Sequence, residues 1–118
     1  MTTEAIRVED FYEPAVFRRI KDLADTKETP FVVIDTETVG KHYDQLIEQF
    51  PFARIHYAVK ANPAEQLISL LRDRGANFDI ASIYELEKVM GLGVSAERCI
   101  FGNTIKKARD IRAFYEKG

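Results

Sequence analysis

The sequence predicts an α/β fold in which a parallel sheet is covered by helices. Three observations carry this. Strand-length apolar runs recur at Phe31–Asp35, Ile55–Lys60, Asn77–Ala81 and Arg98–Gly102. Stretches with apolar residues at helical spacing lie between them. Proline or glycine stands at most of the junctions, as at Pro30, Pro51, Pro63, Gly75, Gly91 and Gly93. The repetition is one of βα units and not of sequence, and no low-complexity tract or linker interrupts it.

Residues 1–10 are polar and are expected to be loose. Phe17, Ile20, Leu23 and Ala24 then fall at helical spacing, with Pro14 suited to the first turn and Thr26–Pro30 ending the segment. The apolar stripe of this helix is expected to pack on another part of the molecule. Phe31–Asp35 reads as a buried strand. Thr36 can cap the next helix, which carries Val39, Tyr43, Leu46, Ile47 and Phe50 on one face and closes at Pro51. The Ile55–Lys60 strand follows, with Pro63 placed to open the helix of Leu67, Leu70 and Leu71, which stops near Gly75.

In the strand Asn77–Ala81, alternation sets Asn77, Asp79 and Ala81 on one face and Phe78 and Ile80 on the other. Ser82-Ile83-Tyr84-Glu85 has the S-x-x-E form of a capping box, so a helix with Leu86, Val89 and Met90 begins there and breaks at Gly91 and Gly93. A last helix carries Ile105, Ala108, Ile111 and Tyr115, with Gly118 at its end. About four strands result.

Composition narrows the function classes. Hydrophobic residues make up 46% of the 118 and charged residues 31%, which is ordinary for a globular chain. A net charge of −2 gives no basis for nucleic-acid or membrane-surface binding. No apolar run approaches the roughly 20 residues of a membrane span, and no signal-peptide core is present. The single cysteine, Cys99, excludes an internal disulfide framework and suits a reducing cytoplasm. No metal-ligand constellation stands out.

Lys60 is the residue with chemical promise. It shares a strand face with His56 and Ala58, while Ile55, Tyr57 and Val59 take the other. At a strand's carboxyl end, beside a small alanine, a lysine can project into a cleft with room for a ring-shaped cofactor. Partial desolvation there would favour the neutral, nucleophilic amine. A snorkelling lysine at a strand end is the plainer reading of the same spacing.

Tyr57-Ala58-Val59-Lys60-Ala61-Asn62-Pro63 resembles the lysine motif of the pyridoxal-phosphate decarboxylases with the alanine-racemase-like barrel, the ornithine and lysine/ornithine decarboxylases most of all. Phe78-Asp79-Ile80-Ala81-Ser82, with Glu85, resembles the next block of that family. Ile100-Phe101-Gly102-Asn103-Thr104-Ile105-Lys106-Lys107-Ala108 resembles the one after. The resemblance runs from about Pro30 to the end and covers the first third or so of such an enzyme. It implies the amino-terminal portion of a (β/α)8 TIM-type barrel, with residues 1–30 a preceding segment with a helix and 31–118 the first βα units. Four strands are too few for a closed barrel, so the chain is expected to be an amino-terminal fragment or truncated gene product.

For the site, the resemblance implies that Lys60 holds pyridoxal 5'-phosphate as a Schiff base, with Ala58, Asp79 and Glu85 as cofactor-binding neighbours. A carboxylate held by backbone amides is the alternative for Asp79, and the capping box alone accounts for Glu85. His56 reads as a hydrogen-bonded core residue, Cys99 as an inert core thiol, Gly102 and Asn103 as a strand-end turn, and Lys106 and Lys107 as a solvated helix start. Groups that hold the cofactor phosphate, pair the pyridine nitrogen and contact substrate belong to later parts of the family's chains. The implied whole is a homodimeric decarboxylase of a small basic amino acid, making putrescine or cadaverine for polyamine synthesis. A diaminopimelate or arginine decarboxylase, and a non-catalytic homologue acting through protein partners, remain open. A small signalling domain is disfavoured, because only Asp35 stands where such domains carry an acidic cluster.

Overall fold

The computed structural model describes Arg7 and residues 11–118, so apart from Arg7 the expectation for residues 1–10 lies outside the described residues. Two compact units divide the chain, residues 1–34 and 35–118.

In the first unit, α1 (Pro14–Ala24) begins with its proline in the first turn, where a missing N–H costs nothing. Val16, Phe17, Ile20 and Ala24 form its half-buried stripe, and no residue of the helix is fully buried. Thr26 closes the end by donating its hydroxyl to the Leu23 carbonyl at 2.7 Å. The expected strand over Phe31–Asp35 does not form. These residues take no regular structure, and Val32 is 88% exposed. A strand is defined by its ladder, and no other segment among the described residues pairs with this run. Among the described residues the sheet therefore has three strands and not four.

The second unit opens with α2 (Thr36–Gln49). Its cap is Asp35 and not Thr36: one Asp35 carboxylate oxygen accepts from the Glu37 and Thr38 amides at 3.0 and 3.3 Å, the other from the Thr38 hydroxyl at 2.8 Å. There follow β1 (His56–Ala58), α3 (Glu65–Asp73), β2 (Asn77–Ile80), α4 (Ile83–Gly91), β3 (Cys99–Phe101) and α5 (Ala108–Glu116). The strand expected to reach Lys60 stops at Ala58, and Val59–Ala61 form one 3-10 turn. Pro63 does not open α3, because Ala64 is the cap and Glu65 the first helical residue. Ile105 lies ahead of α5 and is 82% exposed. Gly75 and Gly93 end their helices with φ of 82° and 87°, a region closed to most side chains.

The strands are all parallel in the order β1-β2-β3, with Ala58 opposite Asp79 and Asp79 opposite Ile100. Val59, Phe78 and Ile80 are fully buried and share one core with Ile68 and Leu71 of α3 and Leu86 and Val89 of α4. Each such side chain stabilises by about 1.5–3 kcal/mol through burial. The opposite face carries half-buried Ala58, Asn77 and Asp79, and Ile100 at 45% exposure. Strands laid down in sequence order, with the core on one face only, wind in the sense of a barrel wall. A doubly wound sheet would reverse its strand order and bury both faces.

Candidate active site

Parallel strands bring their carboxyl ends to one edge, and in barrel enzymes that edge holds the chemistry. Here the edge comprises the turn Val59–Ala61, the corner Ala81–Ser82 and the segment from Gly102 into α5.

Lys60 stands in the middle of the first turn. Its neighbour Val59 is fully buried, and Lys60 itself is exposed. Among the described residues its ammonium has no hydrogen bond or ion pair. Ala58, two residues back on the uncovered face, is a methyl group wide. Across the ladder from Ala58 is Asp79. Its carboxylate leans onto the end of β3 and occupies the space a Cβ at Gly102 would need, with Cγ 2.7 Å and Oδ2 3.0 Å from that point. Gly102 continues the ladder by donating its amide to the Ile80 carbonyl at 3.1 Å, and Asn103 Nδ2 donates to the Ala81 carbonyl at 3.3 Å. Ala58 and Asp79 thus share one face of the sheet, and Lys60 follows in the turn at the same carboxyl edge.

Glu85 is differently employed. Ser82 Oγ accepts from the Glu85 amide at 3.2 Å, and Glu85 Oε2 accepts from the Ala81 amide at 2.7 Å. This is the reciprocal geometry of a capping box, with the carboxylate reaching one residue further back than the cap. Glu85 fastens the corner after β2, at the same edge as Lys60.

Other candidates separate from this group. His56 Nδ1 lies 3.2 Å from the Arg54 carbonyl, a local contact. Burial pushes the Cys99 thiol above its ordinary value of 9.0, and its Sγ is 3.7 Å from the Ser95 carbonyl. The Lys106 ammonium sits 5.2 Å over the Phe101 ring, itself stacked on Phe114 at 4.0 Å. Lys107 lines an open groove of about 610 Å³ between α4 and α5, with Ser82, Tyr84, Asn103, Arg109 and Asp110.

The residue-by-residue reading missed the fastening of the lysine turn. The Tyr57 hydroxyl donates to the Asn62 carbonyl at 2.9 Å, Asn62 Oδ1 accepts from the Ala64 amide at 3.0 Å, and Lys88 Nζ donates to the Pro63 carbonyl at 3.2 Å. Asn before a helix is a signal for the second contact. Nothing in the spacing announces the first or third.

These features define a class: an α/β barrel-wall domain with a free lysine and a carboxylate at its strand-end edge. Residues 36–118 match the family described as pyridoxal-dependent decarboxylase, pyridoxal binding domain, and the chain belongs to that family. It is 38% identical over 96 residues to lysine/ornithine decarboxylase of Selenomonas ruminantium, covering 81% of this chain and 24% of that protein. With the chloroplastic ornithine decarboxylase of Nicotiana glutinosa it shares 36% over 104 residues, 88% of this chain and 23% of the relative. Among solved structures, lysine/ornithine decarboxylase from Vibrio vulnificus complexed with putrescine superposes with a TM-score of 0.80 at 28% identity, over 90% of this chain and 29% of that one. The arginine decarboxylase of Paramecium bursaria Chlorella virus gives 0.77 at 35%, over 88% and 28%. The chain thus spans about a quarter of the length of the curated relatives it matches. Its fold is the amino-terminal portion of the (β/α)8 barrel.

Proposed function

We propose that this chain supplies the lysine-bearing part of a pyridoxal-phosphate enzyme that decarboxylates ornithine or lysine to a diamine and carbon dioxide. The observation that carries the reading is Lys60: an exposed ammonium without a partner among the described residues, on an anchored turn at the carboxyl edge of a parallel sheet. In this reading residues 31–118 are the first βα units of the cofactor barrel, and 1–30 a preceding segment. The whole is a cytoplasmic homodimer whose products are putrescine or cadaverine. The reaction is supported by the names of the relatives, and a reducing compartment by the single cysteine. No helix among the described residues is long and apolar enough to cross a membrane.

The residues at the edge suit the cofactor's aldehyde end. Lys60 can reach into solvent space, Ala58 leaves the uncovered face low, and Asp79 sets a carboxylate on the neighbouring strand. When bound, pyridoxal phosphate supplies the electron sink for the bonding pair released with carbon dioxide. The part of this chain is to present Lys60 as a nucleophile once it has given its proton to solvent. The tight Ser82–Glu85 corner fixes the end of β2 next to Asp79.

An arginine decarboxylase is the second reading, favoured by the superposition on the viral enzyme. The test is reduction with borohydride in the presence of pyridoxal phosphate, followed by peptide mapping. The adduct is expected on Lys60, and an adduct on Lys106 or Lys107 with Lys60 unmodified would refute the assignment. Residues 1–118 alone are expected to release carbon dioxide from ornithine or lysine no faster than free cofactor, because positioning and preorganisation each supply several kcal/mol of catalysis.

A further inference from the structure

We propose that the Tyr57 hydroxyl is a positioning group for Lys60, closing a clasp around the turn so that the backbone is fixed while the ammonium stays free. This rests on Lys60 being the cofactor lysine.

The clasp follows from three contacts. Tyr57 lies on the buried face of β1, where its ring meets Phe78 edge-on with centroids 6.4 Å apart. From there its hydroxyl reaches past the end of the strand to the Asn62 carbonyl, so Ala58, Val59, Lys60 and Ala61 are enclosed between two joined residues. Val59 plugs into the core beneath, without any exposed surface. On the far side the Asn62 side chain is tied to the first turn of α3, and Lys88 of α4 holds the Pro63 carbonyl. The turn is thereby attached to the strand and to two helices.

A short turn at a sheet edge would otherwise sample several backbone conformations, and each would swing the long lysine side chain. The direction of Cα–Cβ at Lys60 decides where the amine can arrive. Holding it costs nothing at the moment of reaction, which is the advantage of a preorganised nucleophile. The half-buried phenol is well suited to this task. Burial pushes its pKa above the ordinary 10.0, so the hydroxyl remains a donor throughout the neutral range. Removing only the hydroxyl keeps the ring in the core and leaves the Asn62 carbonyl without its partner.

The experiment compares the wild-type chain with Tyr57→Phe by two readouts. The first is native-state hydrogen exchange at the amides of Lys60, Ala61 and Asn62, with the Phe78 amide as reference. The second is site-resolved labelling by pyridoxal phosphate. In that labelling the neutral amine bonds to the aldehyde carbon, the carbonyl oxygen leaves as water, and hydride from borohydride reduces the new C=N bond to a secondary amine. Label on Lys60 is expressed relative to Lys106 and Lys107 in the same sample, which cancels differences in protein and reagent.

Tyr57→Phe is expected to speed exchange across 60–62 and to lower the Lys60 labelling ratio by about threefold to tenfold, the equivalent of one ordinary hydrogen bond. The reference amide and the labelling of Lys106 and Lys107 should be unchanged. Unchanged exchange, or an unchanged ratio, would overturn the positioning role. If the wild-type chain labels Lys60 no better than Lys106 and Lys107 while exchange still responds to the variant, the clasp is real and the cofactor-lysine reading fails, taking the positioning role with it. Should Tyr57→Phe not fold, Lys88→Met removes the outer tie from an exposed position. It is expected to move both readouts in the same direction by a smaller factor, and no movement in either would overturn the proposal.

Discussion

Replacing Gly102 by alanine should cost almost nothing in the native chain and become stabilising when Asp79 is also removed. Gly102 does not have a positive φ, so alanine meets no backbone penalty. By restricting the unfolded chain, a Gly→Ala change at such a site contributes about 0.4–1 kcal/mol of stability. Against this stands the Asp79 carboxylate, which overlaps the new methyl group through Oδ1 and lies 2.7 Å from it at Cγ. The obstruction is the end of a half-buried side chain, not backbone, so Asp79 must leave its rotamer at a cost of about 0.5–1.5 kcal/mol. The two effects nearly cancel in Gly102→Ala. In an Asp79→Ala background only the gain survives. A double-mutant cycle read from urea midpoints at constant slope should therefore show a coupling of about 0.5–1.5 kcal/mol between the two positions. A coupling near zero would refute the placement of the carboxylate over Gly102.

Lys60→Ala should change unfolding free energy by less than about 0.5 kcal/mol, as for any exposed side chain with no partner, while abolishing the pyridoxal-phosphate label at that position. Gly75→Ala should destabilise by about 1–2 kcal/mol, because nothing crowds its Cβ but its φ of 82° is left-handed. Gly91→Ala, with open space around it and no positive φ, should instead stabilise by about 0.4–1 kcal/mol, and thermal melts compare the two directly. Stability should fall as pH rises above 9. Burial raises the Cys99 thiol in the folded state, and Tyr43 and Tyr57 likewise, so their contributions are complete below the unfolded values of 9.0 and 10.0 and are lost through the folded ones. Urea titrations at pH 8 and 10 check the sign, and Cys99→Ala should flatten the lower part of the decline.

Much of the wall was legible because its signals are local. Alternation separates Phe78 and Ile80 from Asn77 and Asp79, and the structure buries the first pair and not the second. Ser82 and Glu85 announce their corner by spacing alone. The Phe31–Asp35 run misled because a strand is a relation between two segments, and an apolar run shows only one of them. Asp35 overtook Thr36 as cap because its carboxylate reaches three donors at once. Among the candidate residues, Lys60 was visible from its motif, and Asp79 from its face. The overlap of Asp79 with Gly102 and the reach of Lys88 to Pro63 were not, since each joins residues more than twenty positions apart.

The ladder register has a temporal meaning. His56 pairs with Asn77 and Phe78 with Cys99, so each strand residue meets its partner at the same offset, about 21 residues further on. Equal offsets mean equal loop-closure costs, and no pairing has to wait for a distant part of the chain. A polypeptide leaving the ribosome can lay β2 on β1 as soon as α3 and β2 have emerged, then repeat the step with α4 and β3. The wall can grow in the direction of translation, one rung of constant length at a time.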